Sequence, residues 1–87
     1  MEDALGEWLK SLRKSVDALD EAILKLSRAR IDLCREIGRV KGLMGLEVFD
    51  PAREKEVLSR ASSEAERRIL EVLIHECKRI QWEDRLG

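Results

Sequence analysis

The residues in this sequence best suited to chemistry are cations and amides that interrupt an apolar helical pattern. Positions 5, 9, 12, 16, 19, 23, 26, 30, 33, 37, 40 and 44 follow one another by alternating steps of four and three. All of them are Leu, Ile, Val or Met except Arg30. A guanidinium inside an apolar seam demands an anion, either a carboxylate from another helix or an anionic ligand. Lys41 stands eleven residues further on, nearly three whole turns, so it projects from the same face about 16 Å along the axis. Two long cationic side chains can lean together over that gap and bracket a small dianion. Lys41 alone reads equally well as a solvated lysine. Arg13, seventeen residues before Arg30, lies about 25 Å away and faces a direction roughly 100° different. Within one chain the two cannot hold one small molecule, but in an antiparallel dimer Arg13 of one chain approaches Arg30 of the other. A surface charge flanking the seam is the alternative.

Further candidates follow. Arg53 and Glu54 fall in the first turn of a helix that begins at Asp50-Pro51. Asp is a good N-cap and Pro suits the first helical position. Glu54 leads the core-facing stripe of Val57, Leu58 and Ala61 and gains from the helix dipole. Arg53 opposes that dipole, so its presence asks for a carboxylate to grip. Gln81 extends the stripe of Leu70, Ile74 and Cys77 with an amide, placed either for a ligand or in a frayed terminal turn. Cys77 reads as a small core residue rather than a nucleophile, because no base stands beside it. His75, the only histidine, reads as a surface residue, and Trp8 and Trp82 as packing anchors.

These residues must be positioned by helices. Gly38, Gly42, Gly45 and Pro51 cluster in one stretch, and only Gly6 and Gly87 interrupt the chain elsewhere. Aromatic content is 3% and no strand-length alternation occurs, so the fold class is all-α. Three helices are expected, at about 5–44, 51–61 and 63–84, with a loop at 45–50. Ser63 and Glu66 fit a capping box opening the third helix. The first helix would be a rod of roughly 60 Å, and its 3.5-residue seam is that of helices packed lengthwise. The rest of an 87-residue chain is too short to cover it, so an intertwined homodimer is expected.

Composition narrows the function. At 87 residues one domain is the expectation, with a marginal core if it stands alone. The 17 Lys and Arg nearly cancel 18 Asp and Glu, leaving a net charge of −1. No nucleic acid is expected as a partner, since that needs a basic face. No membrane partner is expected either, since no apolar run approaches a span of roughly 18–20 residues. The acidic start Met1-Glu2-Asp3 lacks the order of a signal peptide. Cys34 and Cys77 are too few and too far apart for a zinc site. A disulfide between them is possible in principle, but two reduced thiols in a cytoplasmic protein is the expectation.

Taken together, LRKSVDALDEAIL, Arg30 within LSRARIDLCREIGRVK, VFDPAREKEVL and, more weakly, VLIHECKRIQ resemble the all-helical chorismate mutases. The spacings among Arg13, Arg30, Lys41, Asp50, Arg53 and Glu54 match that family's pattern. The resemblance implies the Claisen rearrangement of chorismate to prephenate in aromatic amino-acid biosynthesis, with no metal, cofactor or covalent intermediate. It implies that Arg13 from a partner chain, Arg30 and Arg53 hold the substrate carboxylates. Lys41 and Gln81 would donate to the ether oxygen, and Glu54, assisted by Asp50, would bind the ring hydroxyl. Cys77 falls at a further substrate-contact position, where the family usually carries a small polar residue. The segment from Glu54 to Cys77 is shorter than usual in the family by roughly two and a half turns. A lyase of the same fold acting on isochorismate, and a non-catalytic helical dimerisation module, are the alternatives.

Overall fold

A computed structural model describes residues 2–86. Three α-helices follow in chain order: α1 (Glu2–Met44), α2 (Pro51–Leu58) and α3 (Glu64–Leu86). There is no strand among the described residues, as the all-α expectation required. The chain divides into two compact units, Met1–Arg30 and Ile31–Gly87.

The helix ends follow from local chemistry. At the end of α1, Gly45 adopts a left-handed φ of 70°, which glycine reaches without a side-chain penalty. The Leu46 N–H then donates to the Lys41 carbonyl at 2.8 Å and the Gly45 N–H to that of Gly42 at 3.2 Å. This Schellman arrangement satisfies carbonyls the helix would otherwise orphan. Asp50 caps α2, its carboxylate accepting from the Arg53 N–H at 3.1 Å. The expected second helix to residue 61 is shorter, because α2 stops at Leu58 and Ser59 caps it, its hydroxyl donating to the Glu56 carbonyl at 2.6 Å. The turn that follows leads into the capping box of α3. There the Ser63 hydroxyl accepts from the Glu66 N–H at 3.1 Å, and the Glu66 carboxylate accepts in return from that hydroxyl.

In the first unit the seam residues Leu5, Leu9, Leu12, Val16, Leu19, Ile23 and Leu26 all face solvent in the single chain, and so does Trp8. The second unit holds the core, which is small: Cys34, Val48, Val57 and Ile80, with Gln81 as its buried polar member. Trp82 lies at the surface, so neither tryptophan anchors packing within the chain.

Candidate active site

Two faces meet in the second unit. On α1, Cys34, Gly38 and Lys41 follow at steps of four and three, and on α3 Cys77 and Gln81 lie one turn apart, so each set shares a face. Cys34 and Cys77 are joined by a disulfide, their Cα atoms 5.4 Å apart. This corrects the expectation of two reduced thiols. In this state the Cys77 sulfur carries no hydrogen and can only accept. The sequence signal misled because 43 residues separate the two and only the meeting of α1 with α3 brings them within bonding reach.

One turn along, Gly38 lies against Gln81. A Cβ at Gly38 would come within 3.0 Å of Gln81 Cγ and 3.4 Å of its Cα. Gly38, which the sequence reading placed only among helix-breaking glycines, is therefore the space into which Gln81 packs. A glycine within a helical pattern, four residues after Cys34 and three before Lys41, was the available signal. Gln81 is only 3% exposed. Its Nε2 donates to Cys77 Sγ at 3.4 Å, while its Oε1 is buried without a hydrogen bond. Lys41, half-buried, donates from Nζ to the Val48 carbonyl at 2.8 Å. That carbonyl belongs to the most deeply buried residue of the connection, 1% exposed, so the ammonium is anchored by main chain.

Glu54 is partly buried and faces α3, where Lys78 Nζ lies 3.0 Å from its Oε2. The same oxygen is buried and accepts no well-directed hydrogen bond, so the pairing is one of charge more than of geometry. Lys78 also sits over the Phe49 ring, 5.1 Å from its centroid, a cation–π distance. The sequence reading missed Lys78. Its signal was a lysine beside the Leu70–Cys77 stripe, with no partner near it in sequence. Lys78, Phe49, His75, Arg79 and Trp82 line an open groove of about 550 Å³. There the hydrogen bond that Arg79 donates to Glu76, with the charges of Glu76 and Glu83, raises its guanidinium above the ordinary pKa.

The remaining candidates are less gathered. Arg53 is exposed and donates to Glu56 at 2.8 Å within its own helix, an i,i+3 surface pair. Asp50 is occupied as the cap of α2. Arg13, exposed, and Arg30, half-buried, belong to the first unit.

This arrangement offers an anchored ammonium, a buried amide with unspent hydrogen-bonding capacity and a carboxylate, all on one small unit. It can hold a polar anionic ligand and donate hydrogen bonds to it. Comparison with known proteins gives the set a context. The chain is 36% identical over 76 residues to a 3-dehydroquinate dehydratase of Pyrobaculum aerophilum, covering 87% of this chain and 25% of that protein. It is 37% identical over 54 residues to a chorismate mutase of Methanocaldococcus jannaschii, covering 62% of this chain and 54% of the other. A bifunctional chorismate mutase/prephenate dehydratase of Aquifex aeolicus is 41% identical over 54 residues, 62% of this chain and 15% of that one. The chain thus spans about half or less of these relatives' lengths. A solved structure, a conserved hypothetical protein from Pyrococcus furiosus, superposes with a TM-score of 0.79 at 37% identity, covering 84% of this chain and 93% of that one. The profile of the family described as chorismate mutase type II matches residues 12–82, and to that family the chain belongs.

Proposed function

We propose that the chain is a chorismate mutase, converting chorismate to prephenate by intramolecular rearrangement, and that it works as an intertwined homodimer with two shared sites. The observation that carries the reading is that one unit holds both an anchored Lys41 ammonium and a buried Gln81 amide whose oxygen is unpartnered. Both occupy positions that match the family's ether-oxygen donors. The exposed apolar seam of residues 5–26 supports the dimer, because a stripe of that length needs a second helix to bury it.

In this reading Arg30 and Arg53, with Arg13 of the partner subunit, hold the two substrate carboxylates and fold the enolpyruvyl arm over the ring. Arg53 would exchange Glu56 for a substrate carboxylate. As the C–O bond breaks, negative charge grows on the ether oxygen. Lys41 and Gln81 donate to that oxygen, and they stabilise it more in the transition state than in the ground state. Glu54 accepts from the ring hydroxyl near Asp50 at the start of α2. No proton needs to leave the substrate and no covalent bond to the protein forms.

The test is loss of chorismate absorbance with purified protein, run beside Arg30→Ala, with the product identified. Prephenate from the parent and none from the variant is the expected result. Salicylate and pyruvate from isochorismate would instead assign the lyase. No turnover of either substrate, and no thermal shift with a bicyclic dicarboxylate transition-state mimic, would leave the dimerisation module.

A further inference from the structure

We propose that the Cys34–Cys77 disulfide is the positioning device for the Gln81 amide, so that the site works with this bond closed and loses rate when it is opened. The proposal rests on the reading of Gln81 given above. Two rungs join α1 to α3 here. One is covalent, between Cys34 and Cys77. The other is steric, one turn on, where Gln81 fills the space left by Gly38. Cys34 and Gln81 are each 3% exposed, so the two rungs sit in the core rather than at a loose end. Among the described residues no other hydrogen bond anchors the amide. Its Nε2 leans on Cys77 Sγ at 3.4 Å and its Oε1 has no hydrogen-bond partner.

The closed bond dictates which way that amide faces. A disulfide sulfur has lone pairs but no hydrogen, so only the NH2 end of Gln81 is matched to it. The amide is then held with its donor on the Cys77 side, which is also a substrate-contact position by family resemblance. Opening the bond changes the rule. A dithiol supplies two electrons and two protons, the sulfur–sulfur bond breaks, two thiols form, and the reductant closes its own disulfide. Cys77 then carries an S–H that can donate to the orphaned Oε1. A buried carbonyl without a partner is costly, so the amide turns over to accept it and Nε2 swings away. The α1–α3 spacing is released at the same time. Cys34 and Cys77 are thus positioning residues that act through Gln81.

The sequence provides an unusually direct probe. Gln81 is the only side-chain amide, since the chain has no asparagine and no other glutamine. Its NH2 group therefore gives a single pair of side-chain carboxamide resonances in a ¹⁵N-labelled sample. The experiment compares protein with the bond closed by oxidised glutathione and opened by dithiothreitol, the state checked by alkylation and intact mass. With the bond closed, the pair is expected away from the free-glutamine position, and it moves on opening. Turnover is expected to fall roughly tenfold or more, in kcat rather than KM because the arginine clamps remain, and to return on reoxidation. Cys34→Ser, which leaves Cys77 a thiol and is folded by circular dichroism, is expected to turn over at the opened level whatever the reductant. In Gln81→Ala the effect of reductant disappears. An unchanged resonance pair, turnover within about twofold between the two states, or an equal loss in Gln81→Ala would each overturn the proposal. Inability of glutathione to close the bond would do the same. If closed wild-type protein does not turn over chorismate at all, the functional reading fails, and the resonance pair alone still decides whether the disulfide positions the amide.

Discussion

Gly38→Ala separates what packing does for stability from what it does for the reaction. The new Cβ would lie 3.0 Å from Gln81 Cγ but 3.4 Å from Gln81 Cα and Cβ. The α3 backbone is thus at the edge of ordinary contact and can stay, while the Gln81 side chain has to leave its place by a few tenths of an ångström. Replacing a mid-helix glycine by alanine contributes about 1 kcal/mol of helix propensity. Overpacking a filled site costs about 1–3 kcal/mol. The two nearly offset, so the net loss is at most about 2 kcal/mol, which corresponds to a fall of no more than roughly 15 °C in Tm for a domain of this size. The reaction has no such compensation. A donor misplaced toward 1 Å costs up to about a hundredfold, so kcat for chorismate is expected to fall roughly tenfold. Gly42→Ala is the control. Nothing lies within 4 Å of a Cβ there, so Tm is expected to rise by about 4–8 °C with kcat unchanged. Thermal melts at one fixed protein concentration and chorismate progress curves measure both. If Gly38→Ala keeps kcat within about twofold, or shows the full propensity gain in Tm, the contact does not position Gln81 and the argument fails.

Lys41→Met is expected to lower kcat by roughly 10²–10³-fold and to destabilise by about 1–3 kcal/mol because the Val48 carbonyl loses its donor; a kcat within tenfold of the parent would remove Lys41 from the role given it. Mixing Arg13→Ala with Arg30→Ala, each inactive alone, is expected to restore about a quarter of parental activity through heterodimers carrying one intact site, and no recovery would exclude sites shared between chains. Lys78→Met is expected to destabilise by about 1 kcal/mol in urea titrations, and adding Glu54→Gln to recover most of that loss; independent effects of the two substitutions would mean their ion pair contributes nothing. The urea midpoint is expected to rise with protein concentration, and a midpoint constant over a hundredfold dilution would argue for a stable monomer.

What could be read from the sequence was whatever a local rule controls. Asp50-Pro51 opens α2, and Ser63 with Glu66 opens α3, because both signals act within a single turn. The end of α2 was less legible, since Ala61 continues the apolar stripe and only the Ser59 cap stops the helix. Arg53 has a local partner that the sequence also offers: Glu56, three residues on, supplies a carboxylate for it. The disulfide, the Gly38–Gln81 contact and the Lys78–Glu54 pair depend instead on how α3 lies against α1 and α2. No periodicity within one helix encodes that register.

The seam is the instructive middle case. Its 3.5-residue period is plain, and among the described residues the seven apolar positions from Leu5 to Leu26 are about half exposed or more. At about 1.5–3 kcal/mol for each fully buried side chain, this residual exposure leaves on the order of 5–10 kcal/mol unrealised. That is comparable to the whole stability expected of a small domain. The core within the second unit amounts to Cys34, Val48, Val57 and Ile80, too little to make the exposed stripe dispensable. A surface of this kind is stable only when another helix lies along it. The same second copy would bring an Arg13 that this chain's own Arg30 cannot share with it by spacing. In the proposed dimer, burial of the seam and completion of the carboxylate clamp would fall to one and the same partner, a second copy of this chain.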